Sequence, residues 1–427
     1  MIKTVDNFDK KIEKYLSKQR HITNYKLQLA TDVLDVECYD VKFPVSSDVL
    51  RVHLELSFEK GSFVVTEVWL PVEAQNIFVA HGGGGMAGWV PIHDMYNLLQ
   101  KGYITAGTDM GTSKGEEWGI NNKACYKDFG YRAICHMSKI ARKLIKIAYG
   151  NQKIISIFKG GSTGGHQALT VIQRVPKLYD GVLCGAPANL RIPLHNYFLW
   201  NFVNCKEAQF SKETAQMIQQ KACETNLLPE EFVSTLDFLN DIQKEKLINI
   251  YKGPFGNYCG MPMGSETETC GLDYMSNANI KPHFYPFIWA FGKDFDPFSY
   301  DFKQDYKKVK QTLSKYMDAD KTNLTPFFKK GGKLLIVAGT YDCTVPYQKT
   351  VDYVKEVAEY SKNARENLKL FIVPMVNHDI AFCRTEDVTA KDGTSLLDAL
   401  ILWVKDGHIP ETVYGVKCGK YIKPTEL

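Results

Sequence analysis

The pentapeptide Gly160-Gly161-Ser162-Thr163-Gly164 constrains this chain more than any other stretch. It has the form G-x-S-x-G, with the apolar run 154–158 directly before it and a helix-like run, 165–173, directly after it. A nucleophilic serine on a sharp strand-to-helix turn sits in a strained backbone position, and flanking residues without a Cβ let the chain pass close to it. An ordinary glycine-rich turn would give the same letters, and with 32 glycines in 427 residues the pentapeptide alone is weak. The order strand, turn, helix, stopping before Pro176, is what favours the nucleophile.

Short apolar runs recur along the chain at 64–70, 77–80, 103–107, 154–158, 181–185, 333–338 and 368–373. Runs of this length and apolarity fit strands buried on both faces. A helix falls between them over 131–148, with Ile134, Met137, Ile140, Ala141, Leu144 and Ile147 on one stripe and Gly150 ending it. The alternation predicts an α/β fold with a mainly parallel sheet and helices on both faces. It lapses between 193 and 324, where Phe255, Tyr258, Tyr274, Phe284, Tyr285, Phe287, Trp289, Phe291 and Phe295 gather. The expected division is a core of 1–192 and 325–427 with 193–324 as a large lid insertion over the strand ends; an independent helical subdomain is the other reading.

Composition narrows the partners. Lys plus Arg (52) barely exceeds Asp plus Glu (48), so no basic field exists to hold a phosphate backbone, and nucleic acid is not expected. No run of about 18 apolar residues is present, so no membrane span is expected. The first twenty residues are charged rather than apolar, unlike an export signal, and the eleven cysteines lack CxxC pairs or zinc-like spacing. A cytoplasmic protein with reduced thiols, no metal and no cofactor is the expectation.

A serine hydroxyl needs a base to take its proton and an acid to orient that base. Asp342 follows the run 333–338 and His378 follows the run 368–373, so both should emerge at the same sheet edge as Ser162. Asp352 and Asp379 are rival acids, but neither directly follows a strand. Oxyanion donors are expected from the Thr163 N–H and from His81-Gly82-Gly83-Gly84-Gly85, an HGGG-type loop in which Gly83 or Gly84 would donate.

With these blocks assembled, the chain resembles the tannase/feruloyl esterase family of α/β-hydrolases. Gly102-Tyr103 through Thr108-Asp109-Met110-Gly111 is similar to the family's G-Y-x-x-x-x-T-D-x-G, residues 128–133 to its D-F-G-Y-R-A, and residues 161–167 to its C-S-T-G-G-R-Q. Tyr179-Asp180-Gly181-Val182, Gly185-Ala186-Pro187-Ala188 and Gly331-Gly332-Lys333-Leu334 follow in order. The resemblance implies a serine esterase acting on carboxylic esters of aromatic acids such as ferulate or gallate through an acyl-enzyme. It implies Ser162 as nucleophile, Asp342 as acid, His378 as base, and a lid gripping the acyl group. The partner is then a small-molecule aromatic ester, with Trp89, His166 and Trp289 as candidate substrate contacts and Trp118 and Trp200 as further ring-stacking candidates, buried core being the alternative reading for any single tryptophan.

Three departures stand out. Where the family carries a cysteine before the serine and another after the histidine, joined as a disulfide, this chain has Gly161 and Asp379. The stretch after Cys223 lacks the D-x-D spacing of the family's calcium loop, so no calcium is expected. His166 replaces a common arginine. These losses keep open a non-catalytic binding or sensory protein on a hydrolase scaffold, and the same three side chains would serve an acyltransferase or peptidase.

Overall fold

A computed structural model describes residues 1–277, 279 and 284–427. Nine strands form one sheet: β1 (Ile22–Ala30), β2 (Val49–Leu56), β3 (Val64–Pro71), β4 (Ile77–His81), β5 (Ile104–Thr108), β6 (Ile155–Gly161), β7 (Gly181–Gly185), β8 (Lys333–Gly339) and β9 (Leu368–Val373). Their spatial order is β9-β8-β7-β6-β4-β5-β3-β2-β1. The six strands from β9 to β5 are parallel, and β3, β2 and β1 continue the sheet antiparallel. Every apolar run singled out above is one of these strands.

The sheet faces two cores because neighbouring side chains on a strand point to opposite sides. Phe158, Val182, Leu334 and Leu370 pack on one side with Ile134, Ala141 and Leu144 of the helix α1 (Ala133–Tyr149). Ile157, Leu183, Leu335 and Phe371, each one residue away, pack on the other with Leu397, Leu400 and Trp403. Such double-sided burial is why these strands read as unbroken apolar runs. The outermost strand β1 instead mixes exposed and partly buried positions, with only Ala30 buried, as an edge strand with a solvated face should.

The segment 128–132 before α1 is a wide helical turn rather than part of the helix. Arg132 Nε donates to Asp128 Oδ1 at 2.5 Å, Phe129 is fully buried, and a side chain on Gly130 would overlap the Tyr316 carbonyl. With Tyr131 lying under the Arg174 guanidinium, 3.8 Å from the ring centroid, each letter of the D-F-G-Y-R block has a packing reason.

Register aligns the strand ends. Gly161 pairs with Gly185, Gly185 with Val337, and Gly339 with Val373, while Lys159 pairs with His81. The loops after β4, β6, β7, β8 and β9 therefore leave from one carboxyl edge, where open parallel sheets place their sites. Helix α2 (Thr163–Arg174) follows β6, and helix α3 (Arg191–Ala208) follows β7. Phe202 of α3 forms one apolar cluster with Ile218, Phe232, Leu247 and Ile250. The aromatics Tyr285, Phe287, Trp289 and Tyr300 form another, which takes in Met110, Tyr126 and Phe129 from the sheet-bearing part.

Candidate active site

Ser162 links β6 to α2 with φ 56° and ψ −119°, a left-handed conformation that costs a non-glycine residue about 1–3 kcal/mol. Hydrogen bonds hold it there. Its N–H donates to the Gly185 carbonyl (2.9 Å), and its own carbonyl accepts from the N–H groups of His166 and Ala188 (both 3.0 Å). Side chains on Gly160 or Gly165 would collide with backbone of Gly164 or Pro187, so the glycines surrounding Ser162 are steric requirements of the turn.

Asp342, fully buried, sits in the loop after β8. Its Oδ1 accepts from the N–H groups of Thr344 (2.9 Å) and Val345 (2.7 Å), and its Oδ2 meets His378 Nδ1 at 2.8 Å. That bond assigns the Nδ1 proton and leaves Nε2 as the acceptor, the tautomer a general base needs. Burial alone would pull the His378 pKa down, but the charge and hydrogen bond of Asp342, with the charge of Asp379, outweigh it and raise it. The His378 side chain keeps 21% exposure, so its free edge is reachable. Among the described residues no hydrogen bond yet joins Ser162 Oγ to the ring; the hydroxyl is free in the cavity. Apo sites often tighten this contact only with substrate.

Where the family's disulfide would tie two loops together, backbone packing does so here. The turn His378–Phe382 presses on the elbow, and a Cβ on Gly161 would overlap the Ala381 carbonyl, while one on Gly185 would lie 2.6 Å from the same oxygen. Gly161→Ala must therefore displace the histidine turn, at a cost of about 1–3 kcal/mol typical of overpacking. A thermal melt should show lower Tm together with a reduced kcat; an unchanged kcat would mean the contact does not position His378.

A second tie comes from residues 264–271. Cys343 Sγ (3.2 Å) and Thr344 Oγ1 (3.0 Å) both donate to the Thr269 carbonyl, and Asn377 Nδ2 donates to Glu268 Oε2 at 2.7 Å. Glu266, fully buried, anchors this loop by accepting from Tyr251 Oη (2.6 Å) and the Gly264 N–H (3.0 Å). Burial pushes its carboxyl up to about 7, against the opposing pull of those two donors. The folded state then holds a proton the unfolded state has released, so stability falls as pH rises from about 4.5 to about 7, by roughly 3 kcal/mol. Melts across that window should show the decline, and Glu266→Gln should flatten it; equal slopes would contradict the assignment.

Ser162 opens onto a cavity lined by Gly85, Thr163, Arg191, Leu194, His195, Phe198, Tyr274, Met275, Tyr285 and Val345, among others. Arg191, Leu194, His195 and Phe198 are the i, i+3, i+4, i+7 face of α3. Sequence reasoning missed this wall, because α3 buries apolar residues on its other faces as well. Tyr274 and Tyr285 do belong to the aromatic group noted in the sequence. In the glycine loop, Gly85 (φ 59°) is the residue on the cavity wall. The Gly83 carbonyl accepts from Gln167 Nε2 (3.2 Å), and the Gly84 carbonyl from the Ala87 N–H (2.8 Å). Thr163 is on the wall at the start of α2.

The expected ring contacts lie elsewhere. Trp89 is 50% exposed and off the cavity wall. Trp289 is buried against Tyr126 and Tyr285 and gives its indole N–H to the Glu116 carbonyl (2.7 Å). His166 is fully buried with Nε2 on the Met317 carbonyl (2.7 Å). Trp200 spends its N–H on the Asn249 carbonyl (2.8 Å) and Trp118 lies under Lys114; neither lines the cavity. Among the described residues one cluster has metal-like proximity, Cys38, His53 and Glu67, at the antiparallel end of the sheet. Glu67 already accepts from Arg51 Nε and Nη2, His53 Nδ1 and Trp69 Nε1, so no lone pair remains there for an ion.

A strained serine on a strand-to-helix elbow, with an acid and a histidine following the next strands at the same sheet edge, defines an α/β-hydrolase. The tannase and feruloyl esterase family model matches residues 48–249 and 283–421; the chain belongs to that family and is a carboxylic ester hydrolase. It is 24% identical over 435 residues to a probable feruloyl esterase B-2 of Aspergillus fumigatus, covering 90% of this chain and 82% of the relative. Its fold is similar to that of feruloyl esterase B from Aspergillus oryzae (TM-score 0.81, 20% identity, 98% of this chain and 96% of the other). It is also similar in fold to tannin acyl hydrolase from Aspergillus niger (TM-score 0.67, 17% identity, 99% and 92%).

Proposed function

We propose that the chain hydrolyses small esters of phenolic acids through an acyl-enzyme on Ser162. Family membership and relatives named feruloyl esterase and tannin acyl hydrolase support the substrate class. The observation that carries the reading is a strained Ser162 opening onto a cavity walled by Phe198, Tyr274 and Tyr285, with His378 already oriented by Asp342. Flat aromatic walls suit a planar acyl group.

His378 Nε2 takes the Ser162 proton as Oγ bonds to the ester carbonyl carbon, and Asp342 stabilises the imidazolium. The carbonyl oxygen becomes an oxyanion beside the Thr163 N–H and the glycine loop at Gly85, with Gly83 and Gly84 completing that loop. His378 returns its proton to the leaving alcohol, and a water repeats the sequence to free the acid. Residues 193–324 serve as the lid; Leu194, His195, Phe198, Tyr274 and Tyr285 on the wall support this. Eleven free thiols support residence in a reducing compartment, the cytoplasm.

A panel of methyl ferulate, methyl gallate, methyl benzoate and nitrophenyl acetate tests the reading. The phenolic esters should give the highest kcat/KM. No turnover of any ester by the folded protein would favour the binding-protein reading, and a preference for alcohol over water as acceptor would favour acyl transfer.

A further inference from the structure

Arg191 is not needed to assemble Ser162, Asp342 and His378, yet it lies on the same cavity wall and is only 3% exposed. Its Nη2 donates to the Gly85 carbonyl at 3.1 Å and to Thr163 Oγ1, and that hydroxyl in turn donates to the same Gly85 carbonyl. The guanidinium packs over the Phe129 ring, 5.3 Å from its centroid. Among the described residues no carboxylate forms an ion pair with it, and its Nε is buried without a partner. A buried cation held only by neutral oxygens costs several kcal/mol in most proteins and is normally matched by an anion.

We infer that Arg191 is a positioning residue for the oxyanion hole. This rests on the esterase reading of the same site. The guanidinium joins the two segments expected to supply oxyanion donors, the glycine loop and the start of α2. Because peptide units are planar, fixing a carbonyl fixes the N–H across the same peptide bond. The Gly84 carbonyl is held by the Ala87 N–H and the Gly85 carbonyl by Arg191 and Thr163, so the peptide units on both sides of Gly85 are locked. Among the described residues no carboxylate pairs with this charge before negative charge develops on the substrate oxygen. An interaction that is stronger in the transition state than in the bound ester lowers the barrier without tightening substrate binding.

The test compares Arg191→Met and Arg191→Lys with the unaltered enzyme on methyl ferulate, with Tm recorded for each. Arg191→Met should lower kcat by about 10²–10³-fold, the loss seen when an oxyanion donor is removed, with KM changed less than about threefold. Phenylboronic acid, which forms a tetrahedral anion on Ser162, should lose affinity in step with kcat/KM, whereas ferulamide, a neutral ground-state analogue, should not. Arg191→Lys should recover part of kcat, because it restores charge without the two-acceptor geometry. If the Met variant fails to fold, the Lys variant decides by the same split between kcat and KM. A loss confined to KM, equal loss of boronate and amide affinity, or unchanged kcat in either folded variant would overturn the inference. If the unaltered enzyme itself turns over no ester and takes no fluorophosphonate, it is the esterase reading that fails.

Discussion

Replacing Ser162 with alanine should lower kcat on methyl ferulate by roughly 10⁵–10⁶-fold while leaving Tm close to that of the unaltered protein. The side chain lost is one hydroxyl that makes no hydrogen bond among the described residues, so its removal should cost the fold little. Alanine must still adopt φ 56° at the elbow, but serine already bears that strain, and the backbone bonds to Gly185, His166 and Ala188 remain. Residual activity near one per cent would mean that attack comes from another group. A collapse of Tm would mean that the elbow depends on the hydroxyl, which the bonding pattern contradicts.

Replacing Asp342 with asparagine should cost about 10⁴-fold in kcat, through the tautomer of His378 rather than through the fold. The two N–H groups of Thr344 and Val345 require an acceptor at Oδ1, so the amide oxygen is held on that side and the amide nitrogen turns toward the imidazole. An N–H facing Nδ1 forces the proton onto Nε2, the nitrogen that must accept from Ser162. The same change alters the pH profile. In the unaltered enzyme the imidazole must be neutral to act, so activity rises with pH through the His378 pKa, and Asp342 raises that pKa above its ordinary 6.5. Without that charge burial dominates, and the acid limb should move to lower pH. A kcat/KM profile over pH 5–9 for both proteins checks this. An acid limb that stays in place, or moves upward, would show that Asp342 is not the charge felt by His378.

The hydrolase core was legible because its chemistry and its topology constrain the same letters. Ser162, Asp342 and His378 each stand just beyond an apolar run, and buried parallel strands read as such runs in any context. The cavity wall was not legible for a physical reason. Helix α3 is buried on several faces, with Ile192, Tyr197, Leu199 and Phe202 as covered as Leu194, so no stripe marks Arg191, Leu194, His195 and Phe198 as the face toward the site. Size misled the choice of Trp89 and Trp289. A large aromatic ring is as useful to a core as to a substrate, and Trp289 fills the space over Gly119 while its N–H is spent on Glu116. Loss of the cysteine pair was visible in the letters, but its replacement was not. That Gly161 lets the Ala381 carbonyl rest on the elbow depends on a contact between positions 220 residues apart in sequence.

The central claim is that Ser162 is a nucleophile activated by His378. Incubation with a fluorophosphonate, followed by digestion and mass analysis of the labelled peptide, tests it most directly. The account predicts one label per chain, on Ser162, forming slowly below the His378 pKa and absent from Ser162→Ala and His378→Ala. A folded protein that takes no label, or takes it equally well after Ser162→Ala, would contradict the account.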